Sequence, residues 1–432
     1  PMRKRLWELG GIGAAQGAAW VGVCSLGPLR ENTAAFLILV FVASGLGLLA
    51  FFRFPEGVRH AQALVLGFAL LFRLIVLPAP PSQSEDVYRY LWDARIAAMG
   101  VDPYAYPPDA PELVPYRDET IYPMINSKPY VTAYPPLSQV LFRISWGLFG
   151  TSVTAMKALF ALCEFLALLV TWRLLILWGR PLRFLLLAAW NPFFIFEFAH
   201  SGHSDSAMML LILLSVWALA RGKKAWAMAG YAGAVLAKLH PALWFPLYWR
   251  RAGWKAQAAG IGAGIGLVLV YFNVESLGRY LSSLGLYFRL FEFNASVHYL
   301  VRFVGRAAFD QSWDKLIGPW LAALLVAVAA GVYLKFPQRD ARDLLHAGFW
   351  LMTADLCLAT TVHPWYLSWA ALALPFFPYA FMIYWTAAAF LSYAAYAFHP
   401  VHEPAWALLV EYVPMYALMA WEIRRGRPAL LR

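Results

Sequence analysis

Charge is scarce in this sequence. Only 14% of its 432 residues are Asp, Glu, Lys or Arg, against about 25% in an average soluble domain. Set beside 61% hydrophobic residues, that shortage excludes a soluble globule and a disordered chain. Acidic residues are the rarer sign, 24 against 35 Lys and Arg, for a net charge of +11. The excess does not point to nucleic acid. The basic residues stand in short clusters between apolar blocks, which is the pattern of cytoplasmic membrane loops. Cysteine is nearly absent: Cys24, Cys163 and Cys357 each sit inside an apolar stretch without metal-like spacing. This excludes a disulfide framework and a zinc site, and the three read as small buried hydrophobes.

What the chain does have is long apolar blocks. Thr33 to Phe52 carries no charged residue, and a bilayer core needs about 20 such residues per helix. The reading is an all-α integral membrane protein, a bundle of about fourteen membrane helices. They are expected near 7–28, 33–52, 60–79, 153–178, 182–200, 204–220, 225–238, 240–249, 256–273, 316–334, 344–361, 364–380, 381–398 and 405–422.

Lys and Arg set the orientation. With the N-terminus cytoplasmic, alternate connections collect Arg3, Lys4 and Arg5; Arg53 and Arg59; Arg180 and Arg183; Arg221, Lys223 and Lys224; Arg250, Arg251 and Lys255; Lys335, Arg339 and Arg342; and Arg424, Arg425 and Arg427. This works if Pro135 to Phe149 does not cross. That stretch is short and carries Gln139 and Arg143, so it reads as an interfacial helix on the outer surface. The chain then divides into N-terminal spans (1–79), a first extracytoplasmic loop with interfacial helices (80–152), central membrane helices (153–273), a second extracytoplasmic loop (274–315) and C-terminal membrane helices (316–432).

The first outer loop opens with Ser84-Glu85-Asp86-Val87-Tyr88-Arg89-Tyr90-Leu91-Trp92-Asp93. As a helix this places Asp86, Tyr90 and Asp93 on one face. Ser84 suits an N-cap, and Glu85 and Asp86 suit the positive end of the helix dipole. Arg89 is spaced to pair with Asp86 or Asp93. A second reading is compatible with capping: a carboxylate at the membrane surface that takes a proton from a hydroxyl nucleophile, since a helix N-terminus supports its ionised form. Downstream, Gly100, Pro103, Pro129 and Pro135 fix turns. Tyr88 and Tyr134 offer amphipathic surface on which a sugar can stack.

Other polar residues gather at the same face. His200, His203 and Asp205 lie at the ends of two expected spans. They fit either helix capping with mutual hydrogen bonds or contact with a substrate; two imidazoles and a carboxylate are also acceptable metal ligands. Lys238 and His240 break an apolar segment, and ionisable residues at membrane depth are costly and mark function by default, with snorkelling to the interface as the alternative. In the second loop, Asn294, His298 and Arg302 follow at i, i+4, i+8, near Arg289 and Glu292. Arg302 suits a phosphate through its planar fork, or a salt bridge to Glu292. His363-Pro364-Trp365-Tyr366 joins two expected spans, and Asp355 stands inside one.

In this order the motifs resemble the GT-C superfamily of membrane glycosyltransferases that use polyprenyl-phosphate sugars. The pattern is similar to the catalytic subunit of GPI mannosyltransferase I and to bacterial polyprenyl-phosphate-mannose-dependent mannosyltransferases. It is carried by Asp86, Tyr88, Asp93-Ala94, Gly100 to Tyr104, Tyr134-Pro135, Gly202-His203-Ser204-Asp205, Lys238-Leu239-His240-Pro241 and His363 to Tyr366. Two features depart from it: three expected spans precede the catalytic loop rather than one, and of the pair Glu85-Asp86 only Asp86 matches.

The resemblance implies Asp86 as general base and an inverting transfer from a β-linked donor, with mannose the first sugar to test. It places Lys238, His240 and His363 toward the donor phosphate or sugar, and the polar stripe of the second loop adds Arg302 and His298 to them. Glu85, Tyr88, Arg89, Asp93, Tyr134, His203, Asp205 and Tyr366 become contacts to sugar or acceptor. No metal and no cofactor beyond the lipid-linked donor is required, because cations suffice for a monophosphate leaving group. Expected partners are the polyprenyl-phosphate sugar, a glycan, glycolipid or protein acceptor, and membrane lipids, with no nucleic acid. The expected location is a bacterial inner membrane with the site extracytoplasmic. The rival is a secondary transporter or lipid flippase, which concentrates ionisable residues at the bilayer midplane on broken helices; here they gather at one face.

Overall fold

The structure, a computed structural model, describes residues 2–58, 60–311, 313–337 and 339–431, apart from the side chains of residues 2, 3, 286–290, 314 and 315. Arg59 and the side chains of Arg3 and Arg289 thus lie outside the described residues. Among these residues every regular element is a helix, and one isolated parallel bridge, Phe293 to Thr361, is the only extended pairing.

The chain is a membrane protein, with four to six candidate spans among the described residues. Thr33–Arg53, Val153–Leu177, Leu316–Lys335 and Ala380–Ala397 are long and apolar enough to cross. Two bent pairs bring the number to six: Leu182–Ala189 with Pro192–His200, at 43°, and Trp254–Tyr271 with Val274–Gly285, at 101°. The fourteen expected crossings therefore do not all appear. Ala61–Val76 and Asp205–Ala220 are helices of 16 residues each, or about 24 Å at 1.5 Å per residue, short of the hydrocarbon thickness of roughly 30 Å. The stretch 364–380 is not one helix but Pro364–Leu367, Ser368–Ala371 and turns. Pro375 and Pro378 lack the N–H that would continue it and push the residues before them out of the helical region.

The fold separates into two compact units, each discontinuous in sequence. The first comprises Pro1–Gln83, Phe160–Ser206 and His363–Arg432. Its internal chemistry centres on the break at Trp190-Asn191-Pro192. Pro192 cannot donate, and the Asn191 side chain caps the restart by accepting from Phe193 N at 3.0 Å. The freed carbonyls find partners within the protein, as a helix break at membrane depth requires. Gln16 Nε2 donates to Trp190 O at 2.7 Å, and Arg73 Nη1 donates to Ala189 O at 3.1 Å. Arg73 is in turn held by Glu164 through two bonds of 2.5 and 2.6 Å, with both side chains 3% exposed. Gly47 lets its helix approach, since a Cβ there would already sit 3.0 Å from Trp190 O. At the other end, buried Glu422 accepts from Ala380 N and Phe381 N, which starts the helix Ala380–Ala388.

The second unit comprises Ser84–Leu159 and Ala207–Val362. Asp86–Ala98 packs on Pro136–Phe149, the helix expected after Tyr134, with Tyr90 stacked on Phe142 at 4.4 Å. Lys224–Ala237 packs on Trp254–Tyr271 where Gly260 faces the Met228 backbone and Cβ, closer than any larger residue permits. The region 274–315, expected as a loop, holds the helices Val274–Leu290 and Val297–Phe309. Asn294 does not share the helix with His298 and Arg302. It precedes that helix with φ of 50°, and its side-chain amide donates to Val362 O at 3.3 Å. The expected stripe is therefore His298 and Arg302 alone.

Candidate functional site

Asp86 is the first residue of the helix Asp86–Ala98. Ser84 does cap it, though from one position earlier than a standard cap: its hydroxyl accepts from Asp86 N at 3.3 Å while Glu85 occupies the cap position. The Asp86 carboxylate is part-buried, at an end where the helix dipole favours negative charge. Asn126 Nδ2 donates to its Oδ1 at 2.9 Å. Tyr88 is part-buried beside it in sequence, and burial, with the Glu85 charge, pushes its hydroxyl above the ordinary tyrosine range.

Arg89 and Asp93 form the frame behind this end. Asp93, 1% exposed, accepts from Arg89 Nε at 2.9 Å, Thr132 Oγ1 at 2.5 Å and Gln139 Nε2 at 3.0 Å. Arg89 spends its other two nitrogens on Tyr130 O, both at 3.1 Å. These bonds clamp the segment 130–139 onto the helix. Tyr134 sits edge-on to Tyr90 at 4.8 Å, and its carbonyl accepts from the buried Tyr104 hydroxyl at 2.7 Å. Asp86, Tyr90 and Asp93 were expected along one face. Tyr90 and Asp93 are sunk in the packing, and Asp86 is the member left part-exposed.

The basic candidates of this unit stand in two places. Lys238 ends the helix Lys224–Ala237 in extended conformation, and His240 opens the next turn. His240 Nδ1 lies 3.0 Å from Asp355 Oδ2. Arg302 pairs with Glu292, and the buried His298 has its Nε2 3.8 Å from the same carboxylate. Of the two readings of Arg302, the salt bridge is the one the structure displays.

In the first unit, His203, Asp205, His363 and Tyr366 come together. The His203 ring lies on Trp365 at 3.8 Å, and His363 stacks on the same indole at 4.4 Å with the planes 1° apart. Tyr366 stacks on Trp369 at 4.5 Å, and Trp369 Nε1 donates to Asp205 Oδ1 at 2.7 Å. His203 Nε2 is 3.4 Å from Glu197 Oε2, and the Tyr393 hydroxyl donates to both Glu197 oxygens at 2.9 and 3.1 Å. Glu197 is fully buried in a π-helical turn, Ile195–His200, a distortion that often marks functional places. His363 and Tyr366 are the part-exposed members of this wall.

Sequence reasoning missed Glu197 and Asn126. For Glu197 a signal existed: a lone acid inside an apolar block. Asn126 offered none, since nothing local ties it to a residue 40 positions earlier. Among the described residues, no three His, Cys, Asp or Glu side chains gather so as to hold a metal ion.

Residues 7–251, more than half of the chain, match the family model described as alpha-(1->6)-mannopyranosyltransferase, N-terminal domain. The matched stretch holds Asp86, Asn126, Glu197, His203, Asp205, Lys238 and His240; His298, Arg302, Asp355, His363 and Tyr366 follow it. No curated protein and no solved structure matches the chain. An all-helical membrane protein with a tethered carboxylate at a helix start, matched over this length, belongs to the alpha-(1->6)-mannopyranosyltransferase family.

Proposed function

We propose that this protein is an inverting GT-C mannosyltransferase. It moves mannose from a polyprenyl-phosphate donor to a hydroxyl of a glycan, glycolipid or protein acceptor, at the extracytoplasmic face of a bacterial plasma membrane. The observation that carries this reading is Asp86, a part-exposed carboxylate held in place by Asn126 in a chain of a mannosyltransferase family. Asp86 takes the proton of the acceptor hydroxyl. The oxygen attacks the anomeric carbon, the bond from that carbon to the phosphate oxygen breaks, and the polyprenyl phosphate leaves with the electron pair. A β-linked donor then yields an α-linked product, in keeping with the family's description.

Lys238 and His240 stabilise charge developing on the phosphate. Arg302 and His298 are assigned to the donor side together with the Glu292 that already compensates them. In the first unit, His363 is assigned to the donor and His203, Asp205 and Tyr366 to sugar contacts, as hydrogen-bonding groups and a stacking face. Glu85, Tyr88 and Tyr134 lie on the acceptor side, and Arg89 and Asp93 frame the loop rather than touch substrate. The reading needs no cofactor beyond the lipid-linked sugar.

The test is Asp86→Asn in proteoliposomes, with polyprenyl-phosphate mannose as donor and an alkyl α-mannoside as acceptor. Asn keeps the shape and still suits a helix start, so the fold and donor binding are retained. An amide cannot take the proton, and turnover falls by about 10²–10⁴-fold. Turnover at the wild-type rate, with product confirmed by mass, refutes the assignment.

A further inference from the structure

His240 and Asp355 lie 115 residues apart in the chain and meet at 3.0 Å between Nδ1 and Oδ2. Their side chains are 24% and 13% exposed, so the pair is neither sealed in the packing nor on open surface. Both partners sit on stiff elements. His240 begins the turn His240–Trp244, whose backbone is tied by the Tyr231 hydroxyl donating to Pro241 O at 3.1 Å. Asp355 belongs to the helix Ala341–Leu358. The buried Trp244 indole packs against that helix at Gly348 so closely that a Cβ there would overlap the ring. The two backbones therefore meet in one arrangement, and the histidine ring with them.

A carboxylate on Nδ1 does two things to an imidazole. It orients the ring, and it accepts one N–H of an imidazolium so that the other, on Nε2, is directed to the opposite side of the ring. A carboxylate within an otherwise apolar stretch, Leu351 to Leu358, is costly to keep there without a task. We propose that Asp355 is a positioning residue for donor binding: it holds His240 in one orientation, with Nε2–H turned to the donor phosphate. This rests on the reading of Lys238 and His240 as phosphate-side groups. Asp355 itself touches the imidazole and not the substrate.

The test compares wild type, His240→Gln, Asp355→Asn and the double variant in proteoliposomes, with polyprenyl-phosphate mannose and an alkyl α-mannoside. His240→Gln removes the charge-assisted bond to phosphate and Asp355→Asn loosens the hold on the ring that makes it, so the donor KM rises about tenfold or more in each, while the acceptor KM stays at its wild-type value. The double variant falls within about twofold of His240→Gln, because both changes act through one ring. Should Asp355→Asn reduce the folded yield, Asp355→Glu carries the test by keeping the charge; its donor KM then lies between wild type and His240→Gln. A raised donor KM in His240→Gln with a wild-type donor KM in Asp355→Asn and Asp355→Glu overturns the positioning role and leaves the phosphate site standing. A further tenfold loss in the double variant also overturns it, since Asp355 then acts independently. Wild-type donor KM in His240→Gln, or no transfer from this donor by the wild type, refutes the phosphate-side reading beneath it.

Discussion

Replacing Asp93 by Asn is expected to damage the fold around Asp86 without touching the chemistry. In the native protein three donors converge on this carboxylate, from Arg89, Thr132 and Gln139, at 2.9, 2.5 and 3.0 Å. Two of the three adapt to an amide. The Thr132 hydroxyl rotates, and Gln139, whose Oε1 is buried without a hydrogen-bond partner, turns over to accept from the new NH₂. Arg89 keeps an acceptor in the amide oxygen that stands where Asp93 Oδ1 stood, and in the Tyr130 carbonyl, but it loses its countercharge: its side chain is 5% exposed and its own charge is always present. Removing one partner of a buried ion pair costs about 3–5 kcal/mol; with two bonds repaired, the low end, about 3 kcal/mol, applies. The assay is thermal and denaturant unfolding of purified protein in detergent, with Arg89→Gln and the double variant completing a cycle. The double variant removes both charges, so it should be less destabilised than the two single changes summed, by about 0.5–3 kcal/mol. Donor and acceptor KM of the folded fraction should stay at wild-type values. Stability within about 0.5 kcal/mol of wild type, the range of an ordinary surface change, would refute the view of Asp93 as a buried anchor. A raised sugar KM with unchanged stability would return it to the substrate contacts.

Three further outcomes are expected. Single cysteines at Asp109 and at Lys223 should differ toward an impermeant thiol reagent, the first labelled on intact cells and the second only after permeabilisation; the reverse pattern would place every candidate residue on the wrong face. Asn126→Ala should lower kcat about tenfold by releasing the Asp86 carboxylate from a charge-assisted bond, and an unchanged kcat would show that the carboxylate needs no tether. Asp118 lies below its ordinary value of 3.8: burial pushes it up, but the backbone N–H groups of Ile121, Tyr122 and Thr120 and the Arg95 guanidinium outweigh that. A lowered carboxyl contributes stability above the unfolded value and loses it as pH falls through the folded one. The hydrogen-exchange protection factors of residues 118–122 should therefore fall on going below about pH 4, and Asp118→Asn, already less protected at neutral pH, should lose that step.

The helical membrane class, the starts at Thr33, Asp86 and Pro136, and the order of the chemistry-bearing residues were legible along the chain. Each depends on neighbours a few positions away: an apolar block, a cap, a proline at a first turn. The stretch 364–380 was legible too, through Pro375 and Pro378, had those prolines outweighed its hydropathy.

Tertiary structure decided what each polar residue is for. Asp86 and Asp93 are the same side chain on one helix, yet one is part-exposed and the other carries three donors supplied from 4, 39 and 46 residues away. Glu197 acquires its Tyr393 partner across 196 residues, and His240 its carboxylate across 115. No periodicity records such pairings, because a side chain's hydrogen-bond partners are set by which backbones the fold brings within about 3 Å, and helix patterning fixes only which face turns inward.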